Sequence, residues 1–169
     1  TFNLLIRTAL ALMLVVVVLP SLLRAGQPIA DDRVLMVHDG ATVRSYEVSE
    51  LVTTIGLTKL RVPKDPRLGP DRVYIGFALG PLLKHIGLGD APELLLVSAD
   101  GYRIPFDRSV LSQRPVHGLL ALRDARLPAD SKTHWREYRH GAETINFDPF
   151  YLVWASADES IDLDTETLP

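Results

Sequence analysis

Val73-Tyr74-Ile75-Gly76-Phe77-Ala78-Leu79-Gly80-Pro81-Leu82-Leu83-Lys84-His85-Ile86-Gly87 changes its period in mid-course, and that change decides the fold class. Residues 73–77 are mostly β-branched or aromatic around a single glycine, which suits a buried strand. From Leu79 onward the apolar residues recur as Leu79, Leu82, Leu83 and Ile86, the spacing of one helical face. Pro81 falls in the first turn, where its missing N–H is tolerated, and Gly87 stands where a helix stops. A strand passing directly into a short helix predicts a mixed α+β domain.

Outward from this stretch, Val34-Leu35-Met36-Val37 is an apolar run ended by His38-Asp39-Gly40, and Thr42-Val43-Arg44-Ser45-Tyr46-Glu47-Val48 alternates with period two. An Asp-Gly step between two such runs predicts a hairpin. Ser49 is expected to cap a brief helical turn over 49–52, and the alternating residues 58–62 predict a third strand. Three prolines and a glycine within 63–70 make that stretch an exposed loop. Beyond the helix, 93–97 reads as a buried strand, Asp100-Gly101 as a tight turn and 102–106 as the return strand. Leu119-Leu120-Ala121-Leu122 is another buried run, 123–148 reads as a long polar loop, and 150–155 closes the domain as a core strand. The most apolar runs, 73–77, 94–97, 119–122 and 150–154, are expected to be central strands with the 79–86 helix packed on them.

Ahead of this domain the chain is of another kind. Residues 8–23 carry no charge, and Ala9-Leu10-Ala11-Leu12-Met13-Leu14-Val15-Val16-Val17-Val18-Leu19 is apolar on every side of a helix. With residues 2–6 added, such a helix exceeds the ~30 Å hydrocarbon thickness of a bilayer, Arg7 snorkelling toward a headgroup. Residues 1–25 are therefore expected to form one transmembrane anchor helix, 26–33 a linker, 34–157 the globular domain and 158–169 an acidic tail. A cleaved secretory signal ending near Ala25-Gly26 is the rival reading. Arg7 on one flank and Arg24 and Arg33 on the other barely decide orientation. The short flank ahead of the apolar run resembles a signal anchor, which places the domain on the periplasmic side of a bacterial inner membrane.

Composition bounds the chemistry. Apolar residues make up 47% and charged residues 23%, as in a folded protein, and the net charge of −3 becomes −5 once Arg7 and Arg24 are set aside. An acidic domain of this kind attracts no nucleic acid. The absence of cysteine excludes disulfides, thiolate nucleophiles and metal ligands, iron–sulfur ligation and c-type haem attachment, and no cofactor is expected. His134 and His140 would face different sides of a helix, a poor arrangement for a metal. Ser98, before Asp100-Gly101, lacks the flanking glycines of a nucleophile turn, and Gly76, Gly80, Gly87 and Gly89 lack the spacing of a phosphate loop. Trp135, Tyr138, Phe147, Phe150, Tyr151 and Trp154 concentrate much of the aromatic content in the last third, either as core or as a partner-facing patch.

The order Phe77-Ala78-Leu79-Gly80-Pro81-Leu82-Leu83-Lys84-His85-Ile86-Gly87-Leu88, then Leu94-Leu95-Leu96-Val97-Ser98-Ala99-Asp100-Gly101-Tyr102, then Leu119-Leu120-Ala121-Leu122, resembles the sulfite-oxidase-type molybdopterin-binding domain. In that family a short helix of the "PL..LL...G" type precedes a strand ending in a "DGY" turn, and an "lLA" strand follows. Over roughly residues 34–155 the resemblance implies a mixed β-sheet domain with short helices. It also implies a molybdenum bound by a cysteine thiolate in the strand region corresponding to 58–62. This chain has Lys59-Leu60-Arg61 there and no cysteine anywhere, so the fold is expected without its redox chemistry. Asp100, Tyr102, Arg103 and His117 are the candidates for a degenerate cleft.

Three functions compete. The first, preferred, is a non-catalytic accessory subunit anchored in a larger respiratory or photosynthetic membrane complex, its domain covering the periplasmic face. Its contacts with other subunits and with lipid are expected at Leu12, Val16, Trp135, Tyr138, Asp158, Glu159 and Asp162. The second is a periplasmic module binding a small, pterin-like ligand. The third is a cysteine-free oxidoreductase.

Overall fold

The computed structural model describes residues 31–40, 42–65, 68–97, 101, 103–107, 116–145 and 147–156. The expected anchor, residues 26–30 of the linker and the acidic tail lie outside them, and with these Leu12, Val16, Asp158, Glu159 and Asp162. Among the described residues no helix is long and apolar enough to cross a membrane.

The hairpin at the start forms as its alternation requires. β1 (Val34–Asp39) pairs antiparallel with β2 (Thr42–Glu47), Leu35 opposite Tyr46 and Val37 opposite Arg44. α1 (Val48–Ile55) follows without a loop, so its N-cap is Glu47 and Ser49 already lies in the first turn. The Val48 N–H donates instead to the Arg33 carbonyl. After α1 come β3 (Thr58–Val62), β4 (Arg72–Ala78), α2 (Leu79–His85), β5 (Glu93–Val97) and β6 (Arg103–Asp107). β7 (Val116–Asp124), β8 (Tyr138–His140), β9 (Glu143–Ile145) and β10 (Tyr151–Ser156) complete a sheet-rich α+β fold with two short helices among the described residues. Gly87 closes α2: its N–H donates to the Lys84 carbonyl and that of Leu88 to the Leu83 carbonyl, the paired bonds that satisfy a helix's last acceptors.

A four-stranded antiparallel sheet, ordered β10-β7-β4-β3, is the middle layer, and both its faces are covered. Alternation sends Phe77, Leu120, Leu122, Leu152 and Trp154 into one core, shared with α1, α2 and the inner sides of the β1–β2 and β5–β6 hairpins. Tyr74, Leu119, Ala121 and Val153 enter a second core with Val62, Trp135, Tyr138 and Phe147. β7 carries an extra residue, Leu122, opposite the Ile75–Gly76 step of β4. A Cβ at Gly76 would stand 2.1 Å from the Leu120 carbonyl oxygen, so only glycine lets the two strands approach there.

Two expectations are corrected. Residues 94–97 are not a central strand: among the described residues β5 pairs only with β6, and Leu95 and Val97 are 57% and 58% exposed. The run is apolar throughout, but a two-stranded hairpin lying on a core buries alternate residues only, here Leu94 and Leu96. Nor is 123–148 a polar loop. It contains the β8–β9 hairpin and supplies Trp135, Tyr138 and Phe147 to the second core, while Arg136, Glu137, Arg139 and Asp148 take exposed positions.

Candidate functional site

The chain changes layer where β4 ends. Gly76 pairs with Thr58 of β3 and Ala78 with Leu119 of β7, after which the backbone leaves the sheet to begin α2. The starts of β3 and β7 flank that departure, and between them opens a cleft of about 590 Å³, a size common for small-molecule sites. Leu60, Ala78, Leu79, Pro81 and Leu119 give it apolar walls, and Thr58, Lys59 and His117 bring polar groups. Gly118 keeps one wall thin, for a Cβ there would meet the Trp154 ring at 2.5 Å. Lys59 and His117 are exposed, and neither joins an ion pair among the described residues.

The molybdenum that the family resemblance implies does not fit this cleft. Its metal bond needs a thiolate, the sequence has none, and the strand expected to supply it presents an ammonium group instead. Among the described residues no group of three or more His, Asp or Glu side chains is placed to hold a metal ion.

A second polar cluster fastens the point at which the chain enters the domain. Arg33 forks onto Asp31, Nε at 2.8 Å and Nη2 at 2.6 Å, while Nη1 donates to the Leu122 carbonyl at 2.9 Å and to that of Pro149. Its guanidinium also lies 5.4 Å from the centroid of the Phe150 ring. Burial by itself would raise the Asp31 pKa, but the Arg33 hydrogen bonds and the charges of Arg33 and His134 outweigh it and hold the carboxyl below the usual range. His134 stands between Asp31 and Asp148, at 4.0 and 3.9 Å.

In the second core two buried carboxylates each accept a hydrogen bond from a tyrosine hydroxyl. Tyr74 donates to Asp65 at 2.7 Å and Tyr138 to Asp124, onto which Arg126 also closes at 2.8 Å. Burial first, then the bond to Asp124, pushes the Tyr138 hydroxyl up to about 12, and the same causes with Asp65 raise Tyr74. Hydroxyls held protonated in this way are donors, not bases. Asp65 also receives the Leu68 N–H at 2.9 Å, so the proline-rich turn is fastened to β4 from within.

Of the two cleft candidates that fall among the described residues, His117 lines the cleft and Arg103 does not. Arg103 is exposed on β6 opposite Val97, and Asp100 and Tyr102 lie outside the described residues. Trp135 and Tyr138, read as partner contacts, are corrected by burial: they are 7% and 6% exposed and pack on Phe147, with ring centroids 5.6 and 5.2 Å away. The residue that sequence reasoning passed over is Lys59. Its signal was present, a cation in an alternating strand at the position where the resemblance calls for a ligand.

Compared with known protein families, with curated proteins and with solved structures, the chain matches none.

Proposed function

We propose that the chain is a non-catalytic, membrane-anchored accessory subunit whose domain covers the periplasmic face of a larger membrane complex. The observation that carries this reading is the outer side of two hairpins. Val34, Met36 and Val43 on β1–β2, and Leu95 and Val97 on β5–β6, are between 41% and 58% exposed. They alternate with Leu35, Val37, Leu94 and Leu96, which pack into the first core, so each hairpin carries large apolar residues on both sides, those of the outer side set among polar neighbours such as Glu47, Ser45 and Arg103. Large apolar side chains repeated on an outer strand face favour a covering partner. The uncharged run 8–23 supports the anchor, and the Arg33 cluster ties the chain that follows it firmly to the sheet. The strand-to-helix passage at β4–α2 and the β5–β6 pairing support descent from the sulfite-oxidase-type fold.

The test is native sizing of the full chain after mild detergent extraction, with mass spectrometry of what migrates with it. The chain is expected in one complex of fixed partners, and Met36→Glu combined with Leu95→Glu is expected to release it with its circular dichroism unchanged. Migration as a lone chain, or assembly of the double variant as the parent does, would overturn the proposal.

A further inference from the structure

The geometry points to a second property, independent of subunit docking: the cleft at the end of β4 binds a small organic anion with an apolar body, such as an aromatic carboxylate, and Lys59 is the group that holds its charge.

Lys59 is set apart by its surroundings and not by the lack of a partner, for Lys64, Lys84 and Lys132 also join no ion pair among the described residues. Arg33 closes on Asp31, Arg61 on Asp71, Arg126 on Asp124 and Arg139 on Glu137, each within 2.8 Å. Acidic residues outnumber basic ones, 21 to 18, so carboxylates are the more abundant charge. Lys59 nevertheless takes none among the described residues, and no carboxylate appears among the described residues that line its cleft. An edge strand often carries lysine simply to discourage pairing with another chain, and β3 is such an edge. That accounts for a charge on β3. It does not account for the apolar lining beside the charge, to which the exposed Pro81 and the half-buried Leu60 and Ala78 give surface, while Leu79 and Leu119 are closed into the two cores.

The lining also sets the ligand class. A metal cation is disfavoured by the ammonium group and by the lack of carboxylates. A polyol would find few acceptors on five apolar side chains. An apolar ring bearing one carboxylate satisfies both parts of the cleft: the ring lies against Leu60, Ala78 and Pro81, and the carboxylate takes Lys59 with Thr58 and His117 as hydrogen-bonding neighbours. Gly80 sits at the cleft on the exposed side of α2, and a Cβ added there meets nothing within 4 Å, so the site can be blocked without strain.

The full chain in lipid nanodiscs is titrated with para-fluorobenzoate and, separately, with neutral para-fluorobenzyl alcohol, read by fluorine NMR. Saturable binding of the benzoate is expected, with the alcohol about ten-fold weaker, the ratio a single charge-assisted hydrogen bond provides. Lys59→Gln is expected to bring the benzoate down to the level of the alcohol and to leave the alcohol unchanged, while Lys59→Arg retains binding. Lys84→Gln, which removes an exposed cation from α2, is expected to change neither probe. Gly80→Trp is expected to abolish both at unchanged thermal stability. Equal affinity for the two probes, benzoate binding unmoved by Lys59→Gln or by Gly80→Trp, or no saturable binding at all would each overturn the proposal.

Discussion

On one face of the β10-β7-β4-β3 sheet the cover is mostly aliphatic and regular: Val48 and Leu51 from α1, Leu79, Leu82 and Leu83 from α2, and the inner sides of two hairpins, which add Tyr46 and Phe106. On the other face it is aromatic and irregular, with Trp135, Tyr138 and Phe147 arriving from a stretch of mostly polar residues. Phe147 is the hub, its ring 4.3 Å from that of Tyr151 and 5.2 Å from that of Tyr138. The difference shows two ways to bury a sheet face. Leucine and valine each cover little, so many are needed and they must recur with the period of their element. A few rings cover as much without any period, provided a polar anchor such as Asp124, which accepts from Tyr138 and whose own N–H donates to the His134 carbonyl, fixes the segment that carries them.

The sharpest way to break this contrast is to remove one residue from each side. Phe147→Ala is expected to destabilise the domain by about 4 kcal/mol and Leu82→Ala by about 3 kcal/mol, read from urea unfolding, because the ring cluster has no helix that can slide inward to fill the gap. A smaller loss for Phe147→Ala than for Leu82→Ala would reverse the comparison. Gly76→Ala strikes the strand that both faces share, and a loss of about 3 kcal/mol is expected from the clash with the Leu120 carbonyl. An unchanged urea midpoint would show that β4 and β7 can part there without cost.

Arg33→Met sharpens the contrast from its edge, since Arg33 binds the Leu122 and Pro149 carbonyls, at the ends of strands that both cores use. It leaves Asp31, 1% exposed in its side chain, without its cation, and a cost of about 2 kcal/mol at neutral pH is expected. The sign of the pH effect follows from the lowered Asp31 pKa. The stability it contributes is present above the free value of 3.8 and is lost as pH falls below it, so the parent's acid slope should flatten in the variant. A parallel acid limb in both proteins would assign that slope to other carboxylates.

The smallest expected effect, about 1 kcal/mol at neutral pH, belongs to Tyr138→Phe, because Arg126 still serves Asp124. Here the folded state raises the hydroxyl's pKa. The contribution of Tyr138 is complete below the free value of 10.0 and lost as pH rises toward about 12, so the parent should weaken across that interval and the phenylalanine variant should weaken less. Equal alkaline slopes would show that the Tyr138 hydroxyl contributes nothing to them.

The regular face was the legible one. Leu79, Leu82, Leu83 and Ile86 announced α2, and the alternation at 42–48 and the buried run at 119–122 announced β2 and β7, because one periodicity served both local structure and burial. The same rule misled at 93–97, where five residues read as one buried run although only alternate ones reach the core. Trp135 and Tyr138 were visible as aromatic residues, but nothing local distinguished an inward ring from an outward one. That choice was made by Tyr74, Val153 and Ala121, on strands far away in sequence. Lys59 and His117, 58 residues apart by their numbering, come to line one cleft only when β3, β7 and α2 meet, which no local pattern announces.

Were the domain held by its N-terminal end, as proposed above, it would carry mechanical load, and the Arg33 cluster would decide where that load goes. Tension along the chain ahead of Asp31 would reach β1 first, and a two-stranded hairpin pulled from its end opens one bond at a time, as a zipper does. Arg33 stands just before Val34 and grips the carbonyls of Leu122 on β7 and of Pro149 just before β10. The pull is thereby passed to the middle layer of the domain, where many bonds must yield together, and the hairpin is spared.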